Sequence, residues 1–258
     1  MIFDTHAHYD DEAFSEDRDK LLSELFSGPI GHIVDVAASY DSLSEIPKLL
    51  LRYPKMYAAY GLHPTELTGL DMEETLSKVH ALLQTERAVA LGEIGLDYYW
   101  DTKEKELQQK WFLAQLSLAA ELQKPVIIHS REACEDTFSL MKPYFNKVTG
   151  VIHCYSYSAE MALEYIKRDF YIGVGGVVTY KNGRRLKETV EAIPLDRIVI
   201  ETDSPYLPPV PFRGERNHSG NLTKVVEEIA RIKGLTPEEV EMATYQNALN
   251  LYHIEERN

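Results

Sequence analysis

Short apolar, β-branched runs alternate with longer amphipathic stretches along the whole chain. The runs fall near residues 2–6, 32–37, 56–60, 88–92, 125–129, 148–153, 170–174 and 197–201. Each is the length of one strand, and helical stretches lie between them, the pattern of repeated βα units on a parallel sheet. Between the fourth and fifth runs, Leu107, Trp111, Leu113, Ala114, Leu118 and Leu122 recur at roughly helical spacing. Glu, Gln and Lys fill much of the remainder, which predicts an amphipathic helix over 104–123 with those residues on its polar face. Eight such units predict a (β/α)8 TIM barrel, an α/β fold. No stretch of linker composition or repeat of solenoid period interrupts the pattern, so one domain over 1–258 is expected.

A barrel of this kind gathers its chemistry at the C-terminal ends of its strands. The histidines and acids of this chain follow that rule. His6 and His8 end the first run, His63 follows the third in Gly61-Leu62-His63-Pro64, and Glu93 ends the fourth. His129, His153 and Asp203 end the fifth, sixth and eighth. Side chains alternate along a strand, so Asp4, His6 and His8 share one face and both imidazoles point the same way. Imidazoles and carboxylates converging on one mouth would repel or remain badly solvated unless cations neutralised the acids and took the lone pairs. A site for two metal ions is therefore expected. His32 opens its strand at the opposite end, His80 lies in a helical stretch and His253 near the C-terminus, and none of the three is given a role.

Composition sharpens this in three ways. With 258 residues and 44% hydrophobic content, one large core is available. The longest apolar runs are only a strand long and no secretory leader is visible, so a soluble, cytoplasmic protein without membrane association is expected. Cys134 and Cys154 are too few for a disulfide framework. The net charge of −14 argues against a polyanionic partner by bulk charge, but only weakly, since bound metal and basic loops set the potential where a substrate sits.

The ordered set Asp4-Thr5-His6-Ala7-His8, Gly61-Leu62-His63-Pro64, Gly92 to Tyr99, Pro125 to Ala133, His153 to Ser156 and Ile200 to Leu207 resembles the TatD family of metal-dependent deoxyribonucleases, within the amidohydrolase-like barrels. The resemblance covers nearly the whole chain and extends to Arg213-Gly214-Glu215-Arg216-Asn217. It implies that His6, His8 and Asp203 hold one divalent ion, that His129 and His153 hold the other, and that Glu93 bridges them. Relatives elsewhere in the superfamily bridge with a modified lysine, and no lysine stands beside Glu93. Magnesium, manganese and zinc all suit the donors. Departures from the family pattern are Tyr157 after His153 and His218-Ser219-Gly220 after Asn217, neither at an implied ligand.

The implied reaction is metal-assisted hydrolysis of DNA phosphodiesters, from 3′ ends of single strands. Asp203 is expected either to take the proton of the attacking water or to serve as a ligand alone. The resemblance places His63 on substrate phosphate. Arg213 and Arg216, in a Pro- and Gly-rich loop after Asp203, could fork onto a phosphate. Lys181, Arg184, Arg185 and Lys187 are either a phosphate patch or a solvated helix start. Arg131 is expected to turn away from the barrel interior toward a helix, with phosphate contact as the alternative. Tyr98, Tyr99 and Trp100 are expected to be buried under their loop, with base stacking as the alternative. Two other readings stay open: hydrolysis of a small ester, amide or phosphoester, and a non-catalytic metal-bound interaction protein. Oligomeric state is left open, a monomer being compatible with the sequence.

Overall fold

The computed structural model describes residues 1–100 and 103–255. Its strands are β1 (Ile2–Ala7), β2 (Ile30–Val36), β3 (Met56–Tyr60), β4 (Ala88–Asp97), β5 (Val126–Arg131), β6 (Gly150–Ile152), β7 (Phe170–Val174) and β8 (Ile198–Ile200). The helices are α1 (Arg18–Ser27), α2 (Ser42–Arg52), α3 (Met72–Leu83), α4 (Lys105–Leu122), α5 (Cys134–Met141), α6 (Ala159–Ile166), α7 (Arg184–Ala192), α8 (Leu222–Lys233) and α9 (Pro237–Tyr252). One eight-stranded sheet runs in the order β1 to β8 with helices between the strands, so the fold is the (β/α)8 barrel that the periodicity predicts. The third and seventh strands match their sequence ranges to the residue. The fourth runs five residues beyond its expected end, because Glu93 to Asp97 are all buried and Ile94 to Asp97 continue the ladder with β5 as far as Asp97 opposite Arg131.

The chain forms two compact units, Met1–Asp35 with Cys154–Asn258, and Val36–His153. In the first, β1 pairs in parallel with β2, and β7 with β8. Helix α9, which no strand-helix unit requires, starts at a capping box of Thr236 and Glu239 with Pro237 in its first turn. Its far end is fixed on β1: the Tyr252 hydroxyl donates to the Thr5 carbonyl at 2.9 Å, and the Phe3 ring lies 6.0 and 6.1 Å from those of Tyr245 and Tyr252.

In the second unit β4 is paired on both edges, with β3 and with β5. Trp111, Phe112 and Leu116 of α4 are fully buried, each removal of such a side chain from water contributing about 2–3 kcal/mol. Two glutamines of this helix depart from the amphipathic expectation. Gln108 and Gln115 lie two helical turns apart and are buried. Gln115 accepts from the Leu62 N–H at 2.9 Å and donates to the Leu62 carbonyl at 3.2 Å. Gln108 does the same for Asp97, at 2.8 and 3.0 Å. Each carboxamide thus satisfies one donor and one acceptor of backbone that would otherwise be buried unpaired, one just after β3 and one at the end of β4.

Charge also ties helices together. Glu228 of α8 binds Arg231 of the same helix at 2.8 Å and Lys187 of α7 at 3.0 Å. The Arg231 guanidinium, joined by Lys187 and opposed by partial burial, holds the Glu228 carboxyl down at about 2. A carboxyl depressed in the folded state stabilises it above the ordinary value of 4.5, and that contribution fades as pH falls toward 2. Glu228→Gln should therefore lower stability at pH 7 by about 1 kcal/mol, with the difference from the parent shrinking in urea denaturations carried from pH 5 to pH 3.

Candidate metal centre

The strand period brings the first donors together. His6 lies in β1 and His8 directly after it, and their Nε2 atoms stand 3.1 Å apart with the rings edge to face. Asp203 arrives from the segment after β8, its Oδ1 3.4 Å from His8 Nε2 and 3.9 Å from His6 Nε2. A point in the plane of that triangle lies about 2.0 Å from all three corners, the length of a zinc–imidazole bond. The donor set and its spacing therefore fit a divalent ion.

Asp203 reaches this position with a left-handed backbone, φ +56°, which costs a non-glycine residue about 1–2 kcal/mol but costs Asp and Asn least. Backbone bonds fix it: its N–H donates to the His6 carbonyl at 3.0 Å and its own carbonyl accepts from Tyr206 N–H at 2.8 Å.

Asp4, the third residue on the His6 and His8 face, is turned to hydroxyl and amide donors. Its fully buried carboxylate accepts from the Thr202 N–H at 3.0 Å, the Thr202 hydroxyl at 2.7 Å and the Ser219 hydroxyl at 2.7 Å. Burial pushes its pKa up to about 6, and these donors limit the rise. Asp4 thus fastens the residue before Asp203 to β1. Ser219 is part of this fastening, and Asp4 also accepts from the His6 N–H at 3.3 Å. Asn217 completes it, donating to the carbonyls of Thr202 at 3.0 Å and Tyr206 at 2.8 Å.

In the second unit the donors centre on buried Glu93. Its Oε1 lies 2.8 Å from His129 Nδ1, 3.6 Å from His153 Nε2 and 3.9 Å from His63 Nε2. Gly95 makes this approach possible: at φ +147° it pairs with His129, and a Cβ there would overlap the His129 carbonyl. Glu93 stands inside β4 rather than at its end, and His129 inside β5. The far nitrogen of His129, Nε2, meets Asp97 Oδ2 at 3.0 Å. Burial lowers the His129 pKa, but Asp97 and Glu93 outweigh it and the net shift is upward. Burial likewise raises Asp97, and its bonds from His129 and the Trp100 N–H reverse the sign. Asp97 therefore holds the His129 ring through Nε2, on the side away from Glu93, as a carboxylate behind a ligand histidine does. It stood in the Gly92 to Tyr99 stretch four residues after Glu93, and strand parity was the signal that it shares that face.

The remaining expected residues are placed as follows. His63 joins the second set, edge to face with His129 at 4.3 Å between centroids, its Nδ1 held 2.7 Å from the Thr65 hydroxyl. Arg213 lies over the Tyr180 ring at 4.0 Å. Arg216 grips Asp17 through both terminal nitrogens at 2.8 and 2.7 Å and the Ala13 carbonyl at 2.6 Å. In the basic patch, Arg184 pairs with Glu188 at 2.6 Å and Lys187 with Glu228. Arg131 does not turn toward the helices: it is two residues from His129 and on its side of β5, whereas intervening Ser130 bonds Thr137 of α5 at 2.8 Å. Tyr98 is buried as expected, but Tyr99 and Trp100 are exposed. Asp97→Asn keeps an acceptor for nearby backbone but turns an NH2 toward His129. It should weaken manganese or zinc binding about 10- to 100-fold by titration calorimetry, with the far-UV circular dichroism unchanged.

Comparison with known proteins points to one family. The family described as TatD related DNase matches residues 3–253. The Bacillus subtilis uncharacterized metal-dependent hydrolase YabD is 40% identical over 256 residues, 98% of this chain and 100% of the relative. The Escherichia coli K12 uncharacterized metal-dependent hydrolase YcfH is 34% identical over 99% of this chain and 97% of its own length. The crystal structure of YjjV, a TatD homologue from Escherichia coli, superposes with a TM-score of 0.92 at 29% identity, covering 98% of each chain. With a match across nearly every residue and a donor set that fits divalent ions, this chain belongs to the TatD family of metal-dependent hydrolases.

Proposed function

We propose that the whole chain, 1–258, is one catalytic domain of a metal-dependent deoxyribonuclease, acting in the cytoplasm as a 3′–5′ exonuclease on single-stranded DNA. The observation that carries this reading is the pair of donor sets, His6, His8 and Asp203 in one unit and Glu93, His129 and His153 in the other, in a chain matched by the TatD related DNase family. Each set has the chemistry to hold one divalent ion, with Glu93 in the role that the family resemblance gives it. Imidazoles suit manganese and zinc, and the carboxylate oxygens also admit magnesium. Cys134 and Cys154 as thiols suit a reducing compartment. No helix of the described residues is long and apolar enough to cross a membrane.

Bound divalent ions supply an acidified water and a Lewis-acid hold on a phosphoryl oxygen. Asp203, whose backbone is tied to His6 and Tyr206, would be the residue that accepts a proton from such a water. His63 keeps Nδ1 on Thr65 and offers Nε2 to a phosphate oxygen. Arg213 supplies a planar cation for the same group, while Arg216, through Asp17, holds the loop that carries it.

End-labelled single-stranded DNA incubated with metal-stripped protein should stay intact, and manganese or magnesium should restore a ladder shortening from the 3′ end. Asp203→Asn, which tolerates the same backbone, should lower the rate at least about 100-fold while circular dichroism stays that of the parent. Metal-dependent hydrolysis of a small phosphodiester or carboxyl ester, with DNA untouched, would replace the substrate and keep the hydrolase.

A further inference from the structure

Single exposed aromatics are ordinary on protein surfaces. The group that follows β4 is different because it is fastened. Tyr99 is 49% exposed and Trp100 67% exposed, with their rings edge to face at 4.8 Å and 87°. Both backbone N–H groups donate to Asp97 Oδ1, at 2.9 and 2.8 Å. The other oxygen of the same carboxylate holds His129. Arg131 closes the group from β5, its guanidinium carbon 4.2 Å from the centre of the Tyr99 ring and 5.4 Å from that of Trp100. Two large π-faces and a cation are thus preorganised on one rigid support.

We propose that Tyr99, Trp100 and Arg131 form a stacking platform for an unpaired nucleobase of a single-stranded nucleic acid, with Arg131 taking the adjoining phosphate. The inference rests on the nuclease reading above and names the part of the substrate that is gripped. An aromatic face accepts any base, and an arginine beside it adds cation–π and phosphate contacts. Stacking needs a free base face and not a particular base edge, so the group selects for unpaired bases rather than for sequence. A base still stacked in a duplex cannot reach it. Its place is also fixed relative to the donor set. Arg131 lies two residues along β5 from His129, about 6.6 Å at the rise of a strand, on the same side. The platform therefore takes a nucleotide next to the one held at the donors. The local cation answers the objection from the net charge of −14, since the potential that matters is the one beside the substrate.

Tryptophan fluorescence reads this directly. The chain has two tryptophans, and Trp111 is 1% exposed, so quenching by a solute reports on Trp100. The Asp203→Asn protein with magnesium is titrated with a decathymidylate, with an abasic decamer of equal charge and with a blunt duplex. The decathymidylate should quench emission, the abasic strand and the duplex far less. Tyr99→Ala and Arg131→Gln, which keep the reporter, should each weaken binding roughly 5- to 150-fold. Equal quenching by the abasic strand or the duplex, or binding unmoved by both substitutions, would overturn the platform. DNA cleavage by the parent without base-dependent quenching leaves the nuclease and removes the platform. Base-dependent quenching in a protein that cleaves no DNA leaves the platform and removes the nuclease.

Discussion

Everything at the candidate centre depends on making buried carboxylates tolerable. Asp4, Glu93 and Asp97 are nearly or wholly sealed from solvent, and an isolated carboxylate in such a place would cost several kcal/mol and give up its charge. Each is met differently. Asp4 is surrounded by hydroxyl and amide donors and serves as a fastening point for the chain. Glu93 is ringed by imidazoles whose nitrogens lie 2.8 to 3.9 Å from one oxygen. Asp97 divides its two oxygens between an imidazole and two backbone amides. Three acids of similar burial thus become a clasp, a candidate ligand and a partner for an imidazole because of what faces them. Where a cation is bound, the ligand acid gains most and the clasp hardly changes.

Much of this was legible in the sequence because two periods carry it. Strand-length apolar runs placed the strands, and the period of two put His6 beside His8. The helical period placed α4 to within one residue at each end. What the sequence hides is anything decided by a partner distant along the chain. Gln108 and Gln115 look like solvent-facing residues of an amphipathic helix, and nothing local says that the backbone near Leu62 and Asp97 needs them. Asp97 lay inside a stretch already singled out, yet a strand expected to stop at Glu93 left it in a loop. Extending that strand needs the ladder with β5, a contact more than 30 residues away. Arg216 and Asp17 are likewise remote in sequence, so a guanidinium that reads as available for phosphate is found holding an acid of its own chain.

The same loop shows how a departure from a family pattern can be absorbed. Ser219 lies in the stretch read from the sequence as departing from that pattern, and its hydroxyl and N–H engage Asp4 and Tyr9 at 2.7 and 3.0 Å. The substitution is built into the clasp behind the donors without altering a donor. Its influence on chemistry therefore passes through the stiffness with which Asp203 is presented, and not through any change of ligand. The tyrosine at position 157 is of another kind: it packs edge to face on Tyr155 at 6.0 Å and meets surrounding surface.

The left-handed backbone at Asp203 has a consequence for how this protein can change over generations. Glycine, asparagine and aspartate accept that conformation at least cost, and of these three only aspartate carries a charge. Drift at this position is steered toward asparagine or glycine, either of which keeps the fold and discards the carboxylate. In the role proposed for Asp203, one substitution that this backbone accepts is enough to silence the chemistry.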